Sequence, residues 1–141
     1  MKYKEIIKNN INNTLTEVIA GGGNGSIITL CINNSFRLFV SCAWKLTKNN
    51  EIITGCHEES SNDFSPMVKG IKRIEGLKLI SYSYHSDFDF TIFFEENYQL
   101  SIFADNTKRS DIDENWSICD IDNNLNFTLD NNFIISKETY W

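Results

Sequence analysis

The 141-residue chain has a single proline and only two histidines, and none of its apolar runs is long. Because proline removes a backbone donor and interrupts a sheet, its near absence leaves long stretches free to form strands. No window approaches the roughly 18 apolar residues of a membrane-spanning helix, so we expect no membrane association. Residues 1–13 contain lysines but no apolar segment, which predicts a cytoplasmic protein.

Motifs for catalysis and for metal binding are also missing. The four cysteines are widely spaced without a C-x-x-C pair, so we expect free thiols, and His57 and His85 do not complete a structural zinc site. The chain has no G-x-S-x-G motif. The glycine-rich residues 21–25 lead into a strand pattern, whereas a phosphate-binding loop leads into a helix.

One acidic stretch has a weak likeness to a calcium loop. Asp111, Asp113 and Asn115 alternate, but the glycine and the terminal glutamate of an EF-hand are missing. We therefore predict a protein that is not an enzyme and that holds neither a metal ion nor a cofactor.

The strongest pattern is an internal repeat at an offset of 62 residues. Residues 28–32 (ITLCI) coincide with residues 90–94 (FTIFF), and residues 36–40 (FRLFV) coincide with residues 98–102 (YQLSI). Apolar residues recur at every second position, which is the strand period, and a turn-forming tripeptide joins each pair. Trp44 and Trp116 follow the two hairpins at an offset of 72, so about ten residues are inserted in the second unit.

The repeat predicts one domain, residues 1–141, with units at approximately residues 1–55 and 64–129. Further strands are predicted at residues 14–20, 51–54, 77–84, 125–129 and 133–136, and short helices at residues 2–10 and 65–73. The fold class is mainly β (α+β), with two pseudo-repeated antiparallel β units packed face to face as a sandwich or partial barrel and one or two short helices.

The order of these elements resembles that of small immunity proteins of bacterial polymorphic-toxin and contact-dependent growth inhibition systems. The resemblance covers roughly residues 11–129 and rests on hydrophobic spacing and on the recurring Trp44-Lys45-Leu46 and Trp116-Ser117-Ile118. It implies a cytosolic protein that binds and neutralises a cognate toxin C-terminal domain, commonly a nuclease, by blocking its active site or an exosite. These families share no catalytic residues, so none is carried over.

Charge is unevenly distributed along the chain. The formal net charge is −6, but residues 86–122 contain ten carboxylates against Lys108 and Arg109, whereas residues 1–55 have a net charge of +3. Phosphate backbones repel an acidic surface, so we expect no nucleic-acid binding. One acidic face predicts a basic protein partner.

Two polar segments are the candidate partner surfaces. The insertion, residues 104–115, interrupts the repeat, and loops on a scaffold tend to carry function. The loop at residues 56–63 is the second candidate. Phe39, Phe93 and Phe103 occupy the alternate strand positions, whose side chains point away from the predicted core. They are therefore either covered by another element or form an exposed apolar patch. The predicted partner-binding residues are Phe103, Asp105, Asp111, Asp113, Glu114, Glu58, Glu59 and Asp63.

Two other functions stay open. A small-ligand-binding or enzymatic domain would use a cavity between the sheets, with polar groups drawn from Cys56, His85, Asp87 and Asp89. A structural module would form a homodimer through unpaired edge strands together with Phe93 and Phe103.

Overall fold

The computed structural model describes residues 2–21, 25–105 and 114–139, with only the backbone for residue 2. In the described part, two antiparallel sheets lie face to face and two short helices flank them, so the chain is a β-sandwich and not a closed barrel. The predicted mainly β fold class is confirmed. Neither helix has the length and apolarity needed to cross a membrane within these residues.

The secondary structure follows the predicted order with small changes of boundary. The first unit contains α1 (Lys2–Asn9), β1 (Glu17–Ala20), β2 (Ile28–Ile32), β3 (Phe36–Val40), β4 (Ala43–Lys48) and β5 (Glu51–Gly55). The second contains α2 (Pro66–Ile71), β6 (Leu79–Tyr84), β7 (Phe90–Phe94), β8 (Tyr98–Phe103), β9 (Glu114–Asp120), β10 (Leu125–Asp130) and β11 (Ile135–Glu138). Strand β11 begins later than predicted because Phe133, with φ of 60°, belongs to the preceding turn.

Each sheet is built from strands of both units. The six-stranded sheet has the order β1-β2-β3-β9-β10-β11, and the five-stranded sheet has the order β6-β7-β8-β4-β5. The counterparts in the two units are β1 and β6, β2 and β7, β3 and β8, β4 and β9, and β5 and β10. Swapping the members of each pair turns the order β1-β2-β3-β9-β10 into β6-β7-β8-β4-β5, which is the other sheet. The β4–β5 and β9–β10 hairpins have therefore crossed over. Sequence alternation shows which face of a strand is buried but not which strand lies beside it, so this exchange was not predicted.

The helices close the two open sides of the sandwich. Helix α1 lies against β6 and β9, and α2 lies against β1 and β5. Gly70 permits the approach of α2, because a Cβ atom at that position would lie 2.6 Å from Cγ2 of Thr54. The segments before β1 and β6 also meet, since the Leu15 amide donates to the Leu77 carbonyl over 2.8 Å.

Two buried tryptophans join the sheets. Trp44 lies on β4 of the five-stranded sheet, and its indole N–H donates to the carbonyl of Ser26, just before β2 of the other sheet, over 2.8 Å. Trp116 lies on β9 of the six-stranded sheet, and its indole N–H donates to the carbonyl of Phe88, just before β7, over 3.0 Å. Ser26 and Phe88 are themselves 62 residues apart. The repeat therefore extends to this pair of hydrogen bonds.

We expect Trp44→Phe and Trp116→Phe each to lower the free energy of unfolding by about 1–3 kcal/mol, because each removes a buried hydrogen bond and part of a core ring. Urea unfolding followed by circular dichroism measures the change. A loss under about 0.5 kcal/mol for either variant would contradict the role of that indole in joining the sheets.

Candidate functional site

Many of the connecting segments lie together at one end of the sandwich. The strand registers place there the segments that precede β2, β4, β7 and β9, together with those that follow β5 and β10. The amide of Ala104 donates to Oδ1 of Asp89 over 2.7 Å, which joins two of these segments. We call this region the loop end, and its described residues are 25–27, 41–42, 56–65, 85–89, 104–105, 114–115 and 130–134.

The base of the insertion is held by one buried amide. Asn115 is fully buried, and its Nδ2 donates to the carbonyls of Asp105 and Asp130 over 2.9 and 3.0 Å. Its Oδ1 accepts the amide N–H of Asp105 over 2.8 Å. The Asn115 carbonyl accepts the amides of Ser41 and Cys42 in the β3–β4 link. The side chain that resembled a cation ligand in sequence therefore holds the two ends of the insertion together.

Two predicted residues of the insertion, Asp105 and Glu114, and the neighbouring Phe103 stand around this base. Phe103 is 39 % exposed on the outer face of the five-stranded sheet, and Nζ of Lys45 lies 5.8 Å from its ring centroid. Asp105 is exposed and Glu114 is half-buried. Asp111 and Asp113 lie outside the described residues.

The second predicted loop belongs to the same end. Glu58 is half-buried and Asp63 is exposed. Glu59 has a different role, because Oε1 accepts the amide of Ser61 over 2.8 Å and Oε2 accepts the hydroxyl of Ser65 over 2.9 Å. These hydrogen bonds lower the pKa of Glu59 below its usual range. Its carboxylate therefore shapes the loop before α2.

Two exposed apolar side chains at the loop end were not predicted from sequence. Phe64 is 80 % exposed and Ile134 is 59 % exposed. Phe64 lies in a loop, and Ile134, which the predicted strand at residues 133–136 included, lies just before β11. Phe103, the last residue of β8, adds a third exposed apolar side chain beside the loop end.

The residues proposed for an enzymatic site do not converge. Cys56 follows β5 and His85 follows β6, and these strands form opposite edges of the five-stranded sheet. Asp87 forms an ion pair with Lys4 at 3.2 Å. His85 has a local contact, since its Nε2 lies 2.9 Å from the Thr91 hydroxyl. Among residues 2–21, 25–105 and 114–139, no three His, Cys, Asp or Glu side chains are grouped to hold a metal ion.

A recess of about 750 Å³ lies on the outer face of the six-stranded sheet, and not between the sheets. We call it the groove. One row of residues crosses all six strands in register along its floor: Ile19, Thr29, Phe39, Ser117, Thr128 and Ser136. A neighbouring row contains Arg37, Cys119, Asn126 and Glu138. Glu114 lies at the loop end of the groove, so the two surfaces are continuous.

The groove has an apolar part and a polar part. Ile19 and Phe39 lie on β1 and β3, whereas hydroxyl and amide groups lie on β9, β10 and β11. The Ser117 and Thr128 hydroxyls are 2.9 Å apart, which orders the polar part. Of the residues that line the groove, sequence alternation indicated only that Phe39 faces away from the core.

Arg37 and a buried thiol are neighbours in the sheet. Cys31 and Arg37 pair directly across β2 and β3, and burial raises the pKa of the Cys31 thiol while the Arg37 guanidinium opposes that rise. All four cysteines are free thiols, as predicted.

Comparison with protein-family models gives no match, and comparisons with curated protein sequences and with solved structures give none either.

We expect Glu59→Gln to loosen the loop before α2 near neutral pH, measured as faster hydrogen exchange of the Ser61 amide. The folded-state pKa of Glu59 is lowered, so its stabilisation is complete above the unfolded value near 4.5 and is lost as the pH falls through the folded value. The exchange rates of the two proteins, corrected for intrinsic exchange, should therefore converge only once the pH falls below the lowered folded-state pKa of Glu59. A difference that persists at that pH would contradict the assignment.

Proposed function

We propose that the chain is an immunity protein that binds a cognate secreted toxin C-terminal domain with a basic surface, most simply a nuclease, in the cytoplasm. It neutralises the toxin by occluding its active site or an exosite. The observation that carries the proposal is the composition of the loop end. Its described residues include eight carboxylates and neither lysine nor arginine.

Opposite charge gives such a surface a physical role. A nuclease must hold phosphates, so its active site is positively charged, and an acidic partner is steered toward it. The connecting turns at the other end of the sandwich carry both signs, with Lys72, Arg73 and Lys78 beside Glu75 and Glu96. Positive and negative side chains nearly balance there, so most of the excess negative charge lies at the loop end, where a docking partner would sense it.

Apolar side chains at the loop end supply anchors. Charge steers an encounter, but most of the binding energy of an interface comes from a few buried aromatic or aliphatic groups. Phe64, Phe103 and Ile134 are exposed within the acidic surface and would be buried by a partner. This combination favours protein binding over a turnover that needs convergent polar groups.

The test reverses charge at the loop end in the variant Glu58→Lys/Asp63→Lys/Asp105→Lys. These side chains are exposed or half-buried on loops, so the fold is expected to persist. The matched control is Glu51→Lys/Glu96→Lys/Asp122→Lys, which changes net charge equally at the opposite end. The association rate with the toxin domain encoded beside this chain should fall by about tenfold at low salt in the first variant and by less than about threefold in the control.

Equal association rates in both triple variants would contradict the assignment of the loop end. If the unaltered protein neither binds that domain nor protects cells from it, the immunity function itself is wrong. A stable dimer at micromolar concentration in light scattering, combined with that failure, would favour the structural module.

A further inference from the structure

The groove on the six-stranded sheet is concave, and its shape restricts what can occupy it. Two concave faces leave a void between them, so a second copy does not fill the groove by presenting the same face. An added strand pairs at the edge of a sheet and not on its face, because the backbone hydrogen bonds lie in the plane of the sheet. A convex element with side chains all round it, such as a helix, fits the shape.

The size of the groove agrees with a helix. An α-helix with side chains is about 10–12 Å across and rises 5.4 Å per turn. The row of residues along its floor crosses six strands, about 24 Å at the usual strand spacing, and three to four turns of helix are about 16–22 Å long. The groove therefore has the length for a helix of three to four turns that crosses the strands.

Charges in the groove define what such a helix would carry. Glu138 lies three strands from Arg37 in register, which places their Cα atoms about 14 Å apart at the usual strand spacing. Arg37 pairs with Cys119 on β9, and Glu114 precedes Cys119 by five residues, which is about 16 Å along the strand. Arg37 is thus separated from Glu138 across the strands and from Glu114 along them, and a helix that crosses the strands passes from Arg37 to Glu138 in about three turns.

We propose that the groove receives an amphipathic helix of the toxin domain. An apolar stripe of the helix packs on Ile19 and Phe39, one of its carboxylates meets Arg37, and its basic side chains face Glu114 and Glu138. The proposal rests on the proposed function and extends the contact from the loop end onto the sheet. Continuity through Glu114 lets one partner cover both surfaces.

The experiment measures the equilibrium Kd of the toxin domain by calorimetry for three groove variants, Arg37→Glu, Phe39→Ser and Glu138→Lys. Matched controls lie elsewhere on the fold: Arg73→Glu and Glu51→Lys are at the opposite end from the loop end, and Phe93→Ser is on the outer face of the five-stranded sheet. We expect each groove variant to raise Kd by about tenfold or more and each control by less than about threefold. Glu138 is exposed on the last strand, so its variant keeps the test decisive if Phe39→Ser proves unstable in urea.

The outcomes separate the two proposals. Absence of any binding by the unaltered protein overturns the proposed function. Binding that is weakened by the loop-end reversals but unchanged in all three groove variants overturns the helix in the groove and leaves the immunity function standing. If the groove variants and the controls weaken binding equally, the assignment of the groove as the helix-binding site is also overturned, because the effect is then unspecific.

Discussion

The indole hydrogen bonds of Trp44 and Trp116 are the constraint on which the sandwich depends. Each indole belongs to one sheet and donates to a backbone carbonyl just before a strand of the other sheet. A buried N–H without an acceptor is costly, so the spacing and the alignment of the sheets must satisfy both bonds together. The same two residues stand at the start of the hairpins that cross between the units, which keeps the crossed hairpins in place.

This alignment also positions the candidate surfaces. Because Ser26 and Phe88 lie on loops, the indole bonds hold those loops at the same end as the insertion. Asn115 then joins the insertion to the β3–β4 link and to the turn after β10. The acidic and apolar side chains of the loop end are thus carried by segments that the core holds in place. A surface built this way loses little conformational entropy on binding, which favours affinity.

Much of the fold was predictable because apolar residues recur at every second position in most of its strands. Residues 28–32 and 90–94 were placed as strands with the boundaries that the structure has, and Ser65 with Pro66 marked the start of α2. The crossing of the hairpins was not predictable, since Ser41 and Cys42 look like an ordinary turn in sequence. The groove was missed for a similar reason. Arg37 and Glu138 are a hundred residues apart, and only strand order brings their rows together.

The exchange of hairpins has a consequence for how the chain acquires its structure. The first half of the chain supplies two strands to the sheet begun by the second half, and the second half supplies three to the sheet begun by the first, so neither half can complete a sheet alone. Folding is then all-or-none for the whole domain and must await contacts between distant parts of the chain, which slows it relative to a fold of local hairpins.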